Sequence, residues 1–267
     1  RKGFFLFQIF SMYLILGYNI SCYNFIVILL GLLHRTSVFT RQAFTLISFM
    51  IKRSLKGESM EKVIAVAMSG GVDSSLTAAM LLKQGYKVFG ITLWLWVSGT
   101  PYDEVPLAVT DAKKMCDFLG IEHHVIDARD VFYENVVDYF VKEYAYGRTP
   151  NPCVFCNKNI KFDLMLNRAL ELGATHMVTG HYAQVNYNEE TGLYELHKGV
   201  DPTKDQSYVM YNMNQRILSH LMFPLGGQCK TETRKLAAEY DLPVAKKPDS
   251  VDICFLPHGN YQKLVVE

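Results

Sequence analysis

The sequence has little net charge, few cysteines and, after Met60, no internal repeat or low-complexity tract. Its 27 lysines and arginines against 26 aspartates and glutamates give a formal net charge of +1 over 267 residues. Six cysteines in 267 residues are far below the cysteine density of a disulfide-rich mini-protein. A hydrophobic content of 49% excludes an intrinsically disordered chain. The chain is long enough to bury the core of one or two globular domains.

The near-zero net charge is the sum of two unlike parts. Residues 1–59 contain seven basic residues and a single acidic one. Subtracting these from the totals leaves 20 basic and 25 acidic residues, so residues 60–267 carry a net charge of −5. An acidic balance is not typical of a protein that binds nucleic acid over its whole surface.

The first part also lacks charge over a long stretch. Residues 4–33 contain no charged side chain, and 30 such residues are enough to span a bilayer. Polar residues interrupt the run, however, and no small-residue cleavage site stands out. Three interpretations stay open: upstream sequence read in frame before a start at Met60, a membrane or targeting segment, or another use. We treat residues 1–59 as an apolar leader outside the enzyme fold.

After Met60, apolar β-branched runs alternate with helical periodicity at the spacing of βαβ units. Predicted strands cover residues 62–68, 87–93, 123–127 and 176–179, and predicted helices cover 74–84, 111–119, 132–144 and 160–172. This alternation predicts an α/β fold with a doubly wound parallel sheet. Residues 183–198 are predicted as a hairpin, 205–215 and 231–240 as helices, and 147–157 as a loop.

A glycine-rich loop joins the first predicted strand to the first predicted helix, and it reads Ser69-Gly70-Gly71-Val72-Asp73-Ser74-Ser75. Glycines let the backbone approach a ligand, and free amides at a helix start favour an anion. The loop is not a Walker A motif because no lysine follows the glycines, and it lacks the Gly-x-Gly-x-x-Gly spacing of dinucleotide-binding folds. Since Asp73 would repel a bare phosphate, we expect it to help hold Mg²⁺ against a pyrophosphate.

Three of the six cysteines form a candidate reactive set. Cys153 and Cys156 make a Cys-x-x-Cys pair, and Cys254 follows 98 residues after Cys156. No second Cys-x-x-Cys or histidine pair completes a zinc tetrad, which argues against structural zinc. Two alternatives stay open. One thiolate carries a persulfide that a second thiolate resolves, or three thiolates hold an iron–sulfur cluster with one open iron.

The glycine-rich loop resembles the PP-loop of the ATP pyrophosphatases, which cleave ATP to AMP and pyrophosphate. Four further blocks make the resemblance more specific, and together the chain resembles the tRNA-specific 2-thiouridylase family from about Met60 to its end. The five blocks are residues 69–75, 147–162, 179–183, 204–208 and 250–255. The resemblance implies a PP-loop catalytic domain at 60–257 and the start of a central domain at 258–267. It also implies that the family's C-terminal barrel is missing, so that the chain is a truncated member.

The resemblance implies an enzyme that replaces the 2-oxygen of the wobble uridine in tRNA with sulfur. ATP with Mg²⁺ would adenylate that oxygen, and a cysteine persulfide would then deliver sulfur, giving 2-thiouridine, AMP and pyrophosphate. The implied partners are tRNA and a sulfur-donor protein. We expect a monomeric, cytoplasmic protein without membrane contact.

The resemblance also implies roles for individual residues. Cys254 would receive the sulfur, Cys156 would be the second catalytic cysteine, and Asp73 would be a third catalytic residue at the phosphates. The implied nucleotide contacts are Ser69, Gly70, Gly71, Val72, Asp73, Ser74, Ser75, Leu93, Gly180 and His181. The implied tRNA contacts are Lys158, Lys161, Lys204, Asp205, Gln206 and Ser207. If a 4Fe–4S cluster is present, its ligands would be Cys153, Cys156 and Cys254.

Two positions depart from the family pattern. Cys153 stands where many members carry aspartate, and Leu93-Trp94-Leu95-Trp96 stands where the family often has Met-Lys-Asn-Trp. Basic residues cluster locally, and each cluster is compatible with tRNA binding or with a solvated helix face. These clusters are Arg148, Lys158 and Lys161; Lys198 and Lys204; Lys230, Arg234 and Lys235; and Lys246 and Lys247. Two other functions stay open: another PP-loop enzyme, such as a different tRNA thiolase or a synthetase, and a membrane-tethered nucleotide-binding module.

Overall fold

A computed structural model describes residues 62–249, 253–256 and 261–266. The leader predicted at residues 1–59 lies outside the described residues. Within those described ranges, no helix is both long and apolar enough to cross a membrane.

The predicted parallel sheet is confirmed, and it has one strand more than the sequence pattern showed. The described residues form seven strands: β1 (Val63–Ala67), β2 (Lys87–Trp94), β3 (His123–Asp127), β4 (His176–Val178), β5 (Ala183–Asn188), β6 (Leu193–Lys198) and β7 (Leu221–Met222). Five of them form a parallel sheet in the order β3-β2-β1-β4-β7, while β5 and β6 form the predicted antiparallel hairpin. The chain therefore winds outward in both directions from β1, as a doubly wound fold does.

Helices connect these strands. They are α1 (Val72–Lys83), α2 (Leu107–Leu119), α3 (residues 129–145), α4 (residues 152–171), α5 (Gln215–Leu218), α6 (Lys230–Glu239) and α7 (Tyr261–Val266). Two of them contain a wider π-helical segment, Tyr133–Val137 within α3 and Cys156–Met165 within α4. Such segments are frequent at functional sites.

The central strand is buried on both sides, and its residues alternate between two cores. Ile64 and Val66 pack with apolar side chains of α1, α2 and α6, whereas Ala65 packs with side chains of α4. A third core lies between α3 and α4 and includes Phe255. The ring of Phe255 makes edge contacts with Phe132 and Phe140 at centroid distances of 5.6 and 5.3 Å. This third core fixes the position of the residue next to Cys254.

Two predictions about local structure are wrong. Residues 205–215 are not a helix: a single 3₁₀ turn covers Ser207–Val209, and α5 begins only after Asn214. The carboxylate of Asp205 accepts hydrogen bonds from the backbone of Gly199 and from Ser207, and these bonds compete with helix formation. The predicted loop 147–157 also becomes helical at its end, because α4 starts at Pro152. Proline suits a first helical position, where its missing N–H is not needed.

Candidate active site

The carboxyl ends of β1, β2 and β4 surround one cavity of about 550 Å³. This volume is in the range of small-molecule sites. The cavity lies where the strand order reverses between β1 and β4, which is the usual ligand position in an open α/β sheet. Five predicted nucleotide contacts of the PP-loop line it: Ser69, Gly71, Val72, Asp73 and Ser74. Three more predicted contacts, Leu93, Gly180 and His181, line it as well.

Hydrogen bonds made by serine hydroxyls within the PP-loop stabilise its backbone. The Ser74 hydroxyl accepts a hydrogen bond from the Ser69 amide at 3.2 Å, and the Ser75 hydroxyl donates to the Gly71 carbonyl at 2.7 Å. Ser75 is fully buried, and neither Ser75 nor Gly70 lines the cavity. Among the described residues, no side chain caps the start of α1, which leaves its first amides to an anion.

Gly180 lies directly against the PP-loop. A Cβ atom added to it would be 2.8 Å from Asp73 Cβ and 2.9 Å from the Ser74 amide nitrogen. Only glycine therefore allows this close approach. The neighbouring His181 is held by a 2.7 Å hydrogen bond between its Nδ1 and Thr179 Oγ1. Burial lowers the pKa of His181 well below its usual value, so the imidazole is neutral.

The carboxylate of Asp73 is paired with a lysine that the sequence analysis did not assign to this site. Lys230 Nζ lies 2.7 Å from Asp73 Oδ1 and 2.8 Å from Oδ2. Lys230 is only 8% exposed, and its ammonium also contacts Asp249 Oδ1 at 2.9 Å. The negative charge of Asp73 is therefore balanced by the ammonium group of Lys230, the first residue of α6.

Asp249 is the centre of an ion-pair network beside the PP-loop. Its carboxylate contacts Lys230 and also Lys204 at 3.0 Å and Arg234 at 2.7 Å. Burial alone raises the pKa of Asp249, but hydrogen bonds from Lys230 and Lys204 outweigh burial and hold it below the usual value. Lys247 extends the network, with hydrogen bonds to the Gly70 carbonyl at 3.0 Å and to Asp111 at 2.7 Å.

This network shows the partners of several residues in the basic clusters. Lys230, Arg234 and Lys247 all pair with carboxylates within the domain, and Lys230 is buried, whereas the side chains of Arg234 and Lys247 are still 34% and 39% exposed. Lys204, a predicted tRNA contact, pairs with Asp249 and lines the cavity.

The other predicted tRNA contacts have different positions. Gln206 lines the cavity, and its Oε1 accepts a hydrogen bond from the Tyr182 amide at 3.0 Å. Asp205 and Ser207 bond to each other beside the cavity and do not line it. Lys158 is exposed, whereas Lys161 lines the cavity.

Cys153, Cys156 and Cys254 line the same cavity as the PP-loop, and all three are free thiols. Cys156 is buried in the π-helical segment of α4, while Cys153 and Cys254 are exposed. In the described part of the chain, no three His, Cys, Asp or Glu side chains gather as metal ligands would. The arrangement of the three thiols therefore does not support a 4Fe–4S cluster.

The protein environment raises the pKa of both predicted catalytic thiols. Burial raises the pKa of Cys156 to about 12, and the nearby charge of Lys161 opposes this shift. Although Cys254 is open to the cavity, the surrounding protein atoms also raise its pKa, again against the charge of Lys161. Lys161 is thus the cation that favours the thiolate form of both cysteines.

The comparison with known proteins agrees with this geometry. The family model described as the tRNA methyl transferase HUP domain matches residues 62–258. The chain belongs to this family. The tRNA-specific 2-thiouridylase MnmA 2 of Thermoanaerobacter sp. is 49% identical over 209 residues, 76% of this chain and 57% of that protein. The tRNA-specific 2-thiouridylase MnmA of Carboxydothermus hydrogenoformans is 49% identical over 213 residues, with coverages of 77% and 58%.

A third relative, the MnmA enzyme of Heliobacterium modesticaldum, is 48% identical over 213 residues, 78% of this chain and 55% of that protein. The resemblance to the tRNA-specific 2-thiouridylases and the PP-loop fold that it implies are both confirmed. The chain spans less than two thirds of the length of these relatives.

In this family member, the sequence analysis missed the role of Lys230, although one local feature could have indicated it. Lys230 is the first residue of α6, where the positive end of the helix dipole disfavours a lysine. Its partners Asp73 and Asp249 compensate for that position. By contrast, the sequence offers no local signal for the hydrogen bond between Tyr182 and Asp73, because the two residues are 109 positions apart.

Proposed function

We propose that the protein is a tRNA-uridine 2-sulfurtransferase, which uses ATP to convert the wobble uridine of tRNA to 2-thiouridine. One observation carries the proposal: the PP-loop and the thiols of Cys156 and Cys254 line a single cavity. Nucleotide activation and sulfur transfer can therefore act on the same bound base. The names of the relatives, tRNA-specific 2-thiouridylases, support this assignment.

The first step activates the base. A uracil carbonyl is a poor electrophile, so its 2-oxygen first attacks the α-phosphorus of ATP, and pyrophosphate leaves. The uncapped start of α1, together with the hydroxyls of Ser69 and Ser74, receives the phosphates. The product is an adenylated oxygen, which is a good leaving group for the next step. The base must leave its stack to reach this cavity, as in other base-modifying enzymes.

Asp73 fits a magnesium ion that is held mainly by the nucleotide. Mg²⁺ commonly binds one or two protein carboxylates together with phosphate oxygens and water. Among the described contacts of Asp73, Oδ1 accepts from Lys230 and Tyr182, while Oδ2 accepts from Lys230 alone and retains a lone pair. When bound, the metal would neutralise charge on the departing pyrophosphate.

The second step transfers sulfur from Cys254. A sulfur-donor protein loads Cys254 as a persulfide, whose terminal sulfur attacks C2 of the base, and AMP leaves with the former 2-oxygen. The Cys156 thiolate then attacks Cys254 Sγ and breaks the S–S bond, so that the electron pair stays on the sulfur bound to C2. This yields 2-thiouridine and a Cys156–Cys254 disulfide, which an external thiol must reduce before the next cycle.

The two reaction steps require thiolates, and the cavity contains a cation that favours their formation. Cys156 has to lose a proton despite its burial, and Lys161 is the cation placed to favour that loss. We therefore assign Lys161 to the thiols rather than to the tRNA backbone. The exposed Lys158 remains a proposed tRNA contact.

The proposal is tested by Cys254→Ala in the full chain, with nucleoside mass spectrometry of tRNA after incubation with ATP, Mg²⁺ and a persulfide donor. We expect no 2-thiouridine, while ATP binds as in the wild type because the PP-loop is unchanged. Cys229→Ala is the matched control, since Cys229 is exposed and does not line the cavity. Normal 2-thiouridine formation by Cys254→Ala would contradict the proposal.

A further inference from the structure

Lys230 holds a buried positive charge inside the nucleotide cavity. Its Nζ contacts three carboxylate oxygens at 2.7, 2.8 and 2.9 Å, two from Asp73 and one from Asp249. The backbone of Lys230 is fixed independently, because its amide donates to Asp201 Oδ2 at 3.0 Å. The residue is therefore anchored at its backbone, while its flexible four-carbon stem carries the ammonium to the PP-loop.

The surroundings of Lys230 are more cationic than the carboxylates require. Among the described residues, four lysines line the cavity, but only two carboxylates do. The lysines are Lys161, Lys204, Lys230 and Lys247, and the carboxylates are Asp73 and Asp249. A surplus of positive charge at a cavity wall attracts a polyanion such as the phosphate chain of a nucleotide.

The PP-loop itself contributes no cation. A Walker A loop carries a lysine that reaches the β- and γ-phosphates, whereas residues 69–75 contain none. The fold brings Lys230 to this loop from 157 positions away in the sequence. It pairs there with Asp73, which lies in the first turn of α1, next to the amides that favour an anion.

We propose that Lys230 binds the pyrophosphate portion of ATP directly and so supplies the lysine that the loop lacks. In the structure its ammonium is shared between Asp73 and Asp249. When ATP enters, Lys230 exchanges its contact with Asp73 Oδ2 for a phosphate oxygen and keeps Asp249 as its partner. This proposal rests on the proposed function in one respect, since it takes ATP as the nucleotide of the cavity.

The test measures equilibrium binding of ATP, inorganic pyrophosphate and AMP to the full chain by calorimetry, without added metal. Lys230→Met keeps the length of the stem and removes its charge. We expect ATP and pyrophosphate to bind about 10- to 100-fold more weakly, the effect of losing one charge-assisted hydrogen bond. AMP should bind within about threefold of wild type, because it lacks the phosphates that Lys230 contacts. Equal weakening of AMP and ATP would indicate a structural role and overturn the proposal.

Lys235→Met is the matched control, because Lys235 is on the same helix, 77% exposed at its side chain, and pairs only loosely with Glu239 at 3.8 Å. A second comparison removes the concern that Lys230→Met leaves Asp73 buried without a cation. In an Asp73→Asn chain there is no carboxylate at position 73, so a lysine whose only role is to neutralise Asp73 would no longer affect ATP binding. We expect Lys230→Met to weaken ATP binding further in that background, and no further effect would overturn direct contact.

The outcomes separate this inference from the proposed function. A wild-type chain that binds ATP but forms no 2-thiouridine would refute the proposed function and leave the role of Lys230 standing. A wild-type chain that binds neither ATP nor pyrophosphate would overturn both.

Discussion

The hydroxyl of Tyr182 donates a hydrogen bond to Asp73 Oδ1 at 3.0 Å. This contact joins the loop after β4 to the PP-loop, two motifs that are 109 residues apart in the sequence. Tyr182 is 3% exposed, and burial raises its pKa, so the phenol keeps the proton that it donates. Thr233 Oγ1 of α6 lies 2.9 Å from the same hydroxyl, which ties the helix of Lys230 to both motifs.

We expect Tyr182→Phe to lower the free energy of unfolding by about 1–3 kcal/mol, because a buried hydrogen bond to a charged acceptor is lost. Urea denaturation monitored by circular dichroism would measure this change. Tyr187→Phe is the control, since Tyr187 lies on the hairpin and is 55% exposed. An unchanged urea midpoint for Tyr182→Phe would show that the contact with Asp73 contributes nothing to stability.

Gly180→Ala tests the close approach to the PP-loop. The new methyl group would lie 2.8 Å from Asp73 Cβ and 2.9 Å from backbone atoms of residues 73 and 74, so the loop must shift. We expect ATP affinity to fall by at least about tenfold and stability by about 1–3 kcal/mol, as for other overpacked sites. Gly227→Ala is the control because nothing lies within 4 Å of its added Cβ. Calorimetric titration with ATP gives the result, and equal affinities for the two variants would be inconsistent with this packing.

Lys161→Met tests whether the positive charge of Lys161 favours the thiolate forms of Cys156 and Cys254. Burial already raises the pKa of Cys156 to about 12, and removing the cation that opposes this shift raises it further. Below its pKa the thiolate fraction rises about tenfold per pH unit, so alkylation of Cys156 should accelerate steadily from pH 7 to 10. At each pH, we expect the variant to react about 2- to 10-fold more slowly.

Iodoacetamide labelling with peptide mass spectrometry resolves Cys156 from Cys254 and measures both rates. The exposed Lys158, which does not line the cavity, provides the control variant Lys158→Met. Equal slowing by the two variants would mean that general surface charge, rather than Lys161, governs the thiols.

Cys153→Asp distinguishes the two sulfur chemistries that the sequence left open. In the persulfide route, Cys156 and Cys254 react and Cys153 takes part in no chemical step. Because Cys153 is also exposed, we expect the Cys153→Asp variant to form at least about half as much 2-thiouridine as the wild type. A cluster on three thiols predicts loss of iron and of activity together. Iron analysis of anaerobically purified protein, alongside nucleoside analysis, decides between these outcomes.

Much of the fold could be predicted because it depends on local patterns. Apolar β-branched runs such as Val63–Ala67 mark buried strands, and glycines such as Gly120 end helices at positive φ. One prediction failed because a local side-chain contact overrode the pattern. Residues 205–215 have helical periodicity, but the side chain of Asp205 bonds to the backbone. The strand β7 was missed because it has only two residues, too few to show any period.

The sequence by itself determined the parallel α/β fold and the glycine-rich PP-loop, because both depend on the types and spacing of neighbouring residues. It also singled out Cys153, Cys156 and Cys254 as candidate reactive thiols. It also showed where the basic residues cluster, but not what they pair with. Only the tertiary structure decided that Lys230 and Lys204 turn toward Asp249, and that Lys161 lies in the cavity with the thiols. The physical reason is that an ion pair acts over a few ångströms. The packing of the helices on the sheet decides which charged residues come that close, and the local spacing of residues in the sequence does not predict it.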